Sequence, residues 1–184
     1  MNDRPPLRLA LAVAAGAAVL DVATKAWAFD AIPLETTRPL IGDWLVLHTR
    51  YNRGLPWSLG AGWLSTTLMR FALPAISVAA VWVLVAILRK TDPRDRVKAL
   101  GLALILGGAA GNLWDRGWTA FDASHGGVRD FILFPRIVFG DPFPAFNLAD
   151  TWITIGVVLV GWRLLFEKEA AAPGAAQDAA EARA

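Results

Sequence analysis

Apolar residues dominate four stretches of the chain, Leu7 to Phe29, Thr67 to Leu88, Ala99 to Trp114 and Leu148 to Phe166, and most polar residues lie between them or at their ends. About 20 helical residues, rising 1.5 Å each, cross the roughly 30 Å hydrocarbon core of a bilayer, so the pattern predicts four spanning helices. The third stretch is short, which puts its end near Asn112 at the interface rather than in deep lipid. Gly101, Gly107, Gly108 and Gly111 recur along it at mostly helical spacing and form a flat face that another helix can approach. The first stretch follows Arg4 and Arg8, but it is too long for the apolar core of a cleaved signal peptide and carries Asp21 and Lys25. It reads as a retained span.

The link between the second and third spans holds Arg89, Lys90, Arg94, Arg96 and Lys98. Short cytoplasmic loops collect Lys and Arg, so this link is expected inside, with both termini. Two outer loops follow from that, residues 30–66 and 116–147. Trp44 to Leu47 in the first and Phe131 to Val138 in the second have the composition of short strands. Residues 167–184 are Ala-rich with scattered charges, Pro173 and Gly174, and read as a disordered cytoplasmic tail. The expectation is one α-helical membrane domain over residues 1–166, with four transmembrane helices and a small β-containing outer element.

Composition agrees with a membrane solvent: 55% of residues are hydrophobic and 18% charged, more apolar than a soluble domain of this size can hide. Nine Trp suit the bilayer interface, where an indole is half buried and its N–H stays wet. The net charge of +2 is too small to argue for nucleic acid. With no Cys, disulfides, thiolate metal sites and a cysteine nucleophile are all excluded.

The polar residues share one face. Asp21 and Lys25 lie near the outer end of the first span; Asn112, Asp115 and Arg116 end the third; Asn147 and Asp150 begin the fourth. An ionisable residue in a span costs roughly 2.5–3.5 kcal/mol on insertion scales, so such residues pair or work. Asp21 and Lys25, four apart, have the spacing of an ion pair. Asp115 and Arg116 can be read as interfacial charges, Asp150 as a carboxylate at a helix N-terminus, and Asp130 as a loop acid. Among known chemistries, a zinc protease lacks ligands, since only His48 and His125 are present and no H-E-x-x-H occurs. No Ser lies in a G-x-S-x-G context, and no Gly-rich phosphate loop is present. Carboxylates remain, and two that share a site support acid–base hydrolysis. An ion-coupled carrier using the same Asp and Lys residues is the alternative, although these residues lie near one interface rather than at mid-membrane.

Five blocks then carry a resemblance: Leu20-Asp21-Val22-Ala23-Thr24-Lys25, Tyr51 to Leu59, Gly107 to Arg116, Val128-Arg129-Asp130-Phe131-Ile132, and Phe146-Asn147-Leu148-Ala149-Asp150. In this order the chain resembles the bacterial lipoprotein signal peptidases of type II, membrane aspartic proteases, from about Leu7 to Phe166. The resemblance implies that Asp130 and Asp150 are the catalytic pair. It implies substrate-binding or supporting roles for Asn52, Gly54, Asn112, Arg116 and Asn147, with Asp21, Lys25 and Asp115 as further support. It also implies a prolipoprotein substrate cut before a diacylglyceryl-bearing Cys, no metal or organic cofactor, membrane lipid as surroundings, and a monomer. The site would face the periplasm from the inner membrane. The chain departs from the family pattern at Leu55-Pro56, where small residues are usual; Pro56 stiffens that turn and removes a donor.

Overall fold

The computed structural model of the chain describes residues 5–53, 66–122, 124–135 and 143–170. Its elements are helix α1 (Pro5–Ala31), strands β1 (Thr37–Ile41) and β2 (Leu45–Asn52), helices α2 (Thr66–Lys90) and α3 (Arg96–Phe121), strand β3 (Val128–Leu133) and helix α4 (Leu148–Ala170). All four helices are long and apolar enough to cross a membrane. Their outward residues are large and apolar, such as Leu9, Val19, Ile76, Trp82, Val158 and Leu165. That is the arrangement expected where lipid replaces water around the bundle.

Helix α3 is the central member and packs against α1, α2 and α4. Its glycines explain how one helix can serve three neighbours. A Cβ on Gly101 would come within 2.9 Å of the Gly156 carbonyl of α4, and one on Gly156 within 2.5 Å of the Gly101 carbonyl. The two backbones touch directly there, as small-residue packing in membranes allows. Gly107 and Gly111 face α1 instead, at Ala14 and at the Asp21 carboxylate. The expected flat face is therefore two faces, one for each neighbouring helix.

Helix α3 runs seven residues past the expected end at Trp114. Asp115 and Arg116 do not stop it, because both find partners inside the protein. Its last turn is held by the Asp122 N–H on the Trp118 carbonyl and by Arg70 of α2. That arginine donates to Thr119 O at 2.7 Å and to Ala120 O at 2.9 Å. These bonds satisfy carbonyls that a helix end otherwise leaves open. Helix α4 likewise continues to Ala170, four residues into the expected tail; residues 171–184, like Gly54 and the Leu55-Pro56 turn, lie outside the described residues.

The strands form an antiparallel sheet in the order β1-β2-β3. Of the first expected strand, Trp44 to Leu47, Trp44 lies in a turn and Leu45 to Leu47 begin the longer β2, which reaches Asn52. The second is shifted: β3 starts at Val128 and stops at Leu133, so Phe131 to Leu133 fall in the expected range, while its part at 136–138 lies outside the described residues. Pairing with β2 sets this placement, with Asn52 opposite Val128 and Arg50 opposite Asp130. Asp130 is thus a strand residue rather than a loop acid. Ile132 also bridges Phe146 through reciprocal backbone bonds of 2.9 Å, tying β3 to the residue that precedes Asn147 and α4.

Candidate active site

Asn147 organises the meeting of β3 with α4. It stands immediately before Leu148, the first residue of α4, and its side-chain oxygen accepts the Asp150 N–H at 3.1 Å. Asp150 Oδ2 in turn accepts the Asn147 N–H at 3.2 Å. This is a reciprocal capping box, with Asn as the cap and Asp three residues on. The Asn147 amide nitrogen is left to reach outward, donating to Asp130 Oδ1 at 2.7 Å and to Asn112 Oδ1 at 3.3 Å. Asn112 of α3 donates to the other oxygen of Asp150, Oδ1, at 3.0 Å. Asp130 and Asp150, 20 positions apart in sequence, are joined through one asparagine.

The two carboxyls sit in different surroundings. Asp130 is buried, with 2% of its surface exposed. Burial pushes its pKa up to about 7, helped by the negative charge of Asp150; hydrogen bonds from Asn147 and Asn52 and the charge of Lys25 pull the other way. Such a carboxyl carries a proton across much of the range in which an ordinary Asp is ionised. Asp150 accepts two N–H donors, both oxygens engaged on the side of α3 and its own helix cap.

Beneath this pair lies a buried charge cluster. Lys25, Asp21, Asp115 and Asn147 have no exposed surface. The Lys25 ammonium contacts Asp21 Oδ2 at 2.7 Å, Asp115 Oδ2 at 3.2 Å and Asn112 Oδ1 at 2.8 Å, which uses its three protons. Asp21 extends the cluster to α4 by accepting the Ala149 N–H at 2.8 Å. Asp115 extends it to β3: Arg129 reaches Asp115 Oδ1 with Nε at 2.9 Å and Nη2 at 2.8 Å, and its own backbone N–H donates to Oδ2 at 3.1 Å. Asp21 and Lys25 are the ion pair that their spacing indicates. Asp115 is not an interfacial charge but the most heavily shared carboxylate of the cluster.

Arg116 points elsewhere, toward α2, where Nη1 donates to Ser77 Oγ at 2.7 Å. It nonetheless feels the charges of Asp150, Asp130 and Asp115. Every sequence-derived candidate among the described residues therefore belongs to this neighbourhood; Gly54 lies outside those residues. Arg129, Ser77 and His125 are the members that sequence reasoning passed over. His125 stacks on Trp118, meets Tyr51 edge-on and comes within 3.6 Å of Asp115 Oδ1. Burial holds its pKa below the usual histidine value against the pull of Asp115. Arg129 had a visible signal: alternation on a strand turns it away from its neighbour Asp130, and a cation on that side needs an acid.

A family model for signal peptidase (SPase) II matches residues 13–166. The chain is 35% identical over 145 residues to the lipoprotein signal peptidase of Serratia proteamaculans, covering 77% of this chain and 78% of that protein. It is 37% identical over 158 residues to that of Pseudomonas putida, covering 84% and 85%. To the lipoprotein signal peptidase of Mycobacterium avium it is 34% identical over 164 residues, covering 86% and 81%. Two solved structures, both described as a bacterial membrane enzyme, are similar in fold. One has a TM-score of 0.66 at 28% identity, covering 85% of this chain and 92% of that one. The other has a TM-score of 0.68 at 26% identity, covering 90% and 92%.

Replacing Lys25 by Met leaves Asp21 and Asp115 buried without their shared cation, and such a broken buried pair costs about 3–5 kcal/mol. The expected outcome is a clear fall in the thermal unfolding midpoint of the detergent-solubilised protein. Part of that loss should be recovered when Asp21→Asn is combined with Lys25→Met.

Proposed function

The chain belongs to the signal peptidase II family and removes the signal peptide from prolipoproteins, and we propose that it does so as an aspartic endopeptidase with Asp130 and Asp150 as the catalytic pair. The observation that carries this reading is the unequal pair itself: two carboxyls linked through Asn147, one of them buried in β3 and titrating near neutrality. Asp150 takes a proton from a water molecule. The resulting hydroxyl oxygen bonds to the scissile carbonyl carbon, while the proton on Asp130 passes to the carbonyl oxygen. In the second step the carbonyl re-forms as its hydroxyl proton returns to Asp130, the C–N bond breaks and the leaving amine takes the proton held by Asp150. Both carboxyls need to be in opposite protonation states at the start, which like-charge proximity favours.

The surrounding residues have supporting parts in this reading. Asn147 and Asn112 orient the carboxyls, Asn52 holds Asp130 from β2, and Arg116 and Gly54 contribute to binding the substrate backbone. Asp21, Lys25 and Asp115 keep the helix ends and β3 in place. The substrate is a prolipoprotein whose Cys bears a diacylglyceryl group, cut on the N-terminal side of that Cys. A lipid-bearing Cys stays at one interface while its signal helix spans the bilayer, so the scissile amide lies where α4 begins and the sheet covers the bundle. The ion-coupled carrier has no comparable support, since the Lys25 ammonium is fully paired within the cluster.

In this reading the α2–α3 link and both termini are cytoplasmic and the site faces the periplasm from the inner membrane, supported by the cations at 89–98, which short inner loops collect. A phosphatase reporter inserted between Lys90 and Lys98 should be silent, and one inserted in residues 30–36 active; the reverse pattern inverts the orientation. Asp130→Asn and Asp150→Asn should each lower cleavage of a diacylglyceryl-modified precursor by at least about a hundredfold, in the range of acid–base catalysis. Both variants should still elute as folded protein, and full activity in either one removes the pair from the mechanism.

The same assignment sets a pH dependence. The raised pKa of Asp130 means that the active, singly protonated pair is lost as pH rises through about 7. The alkaline limb of kcat/KM should lie there. The hydrogen bond from Asn52 stabilises the charged form, so Asn52→Ala should move that limb to higher pH; a shift to lower pH contradicts the assigned proton.

A further inference from the structure

Among the described residues, Ser77 is the only buried polar side chain that α2 supplies, turned inward between the exposed Ile76 and Val78. Its hydroxyl spends its single proton on the Leu73 carbonyl one turn back, at 2.9 Å. The oxygen lone pairs are left for α3, where Arg116 Nη1 donates to them at 2.7 Å. That is the one side-chain hydrogen bond of Arg116 among the described residues. It makes no ion pair with any of them, and its Nε is buried without a partner. Carboxylates are nevertheless close. Arg116 stands one helical turn beyond Asn112, which donates to Asp150 Oδ1 at 3.0 Å, and it feels the charges of Asp150, Asp130 and Asp115. A neutral hydroxyl satisfies one donor of the guanidinium and leaves its charge whole, whereas a carboxylate in the same place would cancel it.

The docking of α2 does not need this bond. Arg70 already ties the same two helices by donating to Thr119 O and Ala120 O, and Leu88 packs in the apolar core with Leu102 and Leu106 of α3. We infer that Ser77 is a positioning residue: it holds Arg116 off Asp130 and Asp150, so that the Nε–Nη2 edge of the guanidinium stays available to a backbone carbonyl oxygen of the prolipoprotein. Ser77 thus aims a residue already assigned to substrate binding in the proposed function, and its role rests on that assignment. Without the hydroxyl, the freed Nη1 is drawn to the carboxylates whose charge it feels, and the cation is lost to the substrate.

The test is single-turnover cleavage of a precursor peptide bearing a dipalmitoylglyceryl Cys, with the full chain in detergent and in excess. Its concentration dependence gives the half-saturation constant and the cleavage rate separately, in slow variants as well. Ser77→Ala should raise the half-saturation constant about tenfold, the loss expected for a hydrogen bond to a charged group, and change the rate at saturation much less. Ser77→Thr and Ser77→Val add the same volume and differ in the hydroxyl, so Thr should bind about tenfold more tightly than Val. In an Arg116→Met background, Ser77→Ala should cost nothing further, because the group it positions is gone. Equal constants for Thr and Val, or an Ala loss that persists in full beside Arg116→Met, would overturn the role of Ser77. So would a lowered thermal unfolding midpoint with an unchanged half-saturation constant in Ser77→Ala, which is the behaviour of a helix staple. The Thr and Val comparison decides even if Arg116→Met is inactive. If Arg116→Met binds as tightly as the wild type, the binding role of Arg116 itself falls, and the aim assigned to Ser77 falls with it.

Discussion

The Lys25 ammonium, removed from solvent and held by Asp21, Asp115 and Asn112, is the constraint around which the sheet-bearing end of the bundle is built. A buried ammonium is tolerable only with its charge compensated and its protons engaged. Here the compensating groups come from α1 and α3, and each carboxylate passes the restraint on. Asp21 holds the first turn of α4 at Ala149, and Asp115 holds β3 through Arg129. Three helices and the sheet are thereby aligned by one cation. The glycines of α3 are the steric counterpart, because only backbones in direct contact bring these short side chains within reach of each other.

The catalytic pair proposed for this enzyme inherits its geometry from that framework. Asp150 is at once a capping residue of α4 and a partner of Asn112, so its position follows from the start of a helix. Asp130 is fixed by strand pairing with β2, by the Ile132–Phe146 bridge and by Asn147. A helix end and a sheet are stiff supports, and holding acid–base groups on stiff elements reduces what the reaction must spend on orientation. The difference in their surroundings is equally structural. Asp130 is buried and near a like charge, which together push its pKa up to about 7.

The two ends of the bundle carry their charges differently. The end that carries Lys25 turns its charges inward, into a neutralised cluster. At the end of α2, by contrast, Arg89 and Lys90 are exposed.

Much of this was readable along the chain, because hydropathy and helical spacing are local properties. Four spans, the Asp21–Lys25 pair and the gathering of polar residues at one end follow from residue order alone, since each involves neighbours within a few turns. What could not be read that way is who meets whom across the bundle. Lys25 and Asn112 are 87 positions apart, and Asp21 and the Ala149 N–H are 128 apart. The length of α3 was misjudged for the same reason: Asp115 and Arg116 look like the end of a span until their partners on α1, α2 and β3 are known. The place of Asp130 on a strand likewise depends on β2, far earlier in the chain. A buried charge is stable only beside its partner, and partners from distant segments are brought together by packing, not by proximity in sequence.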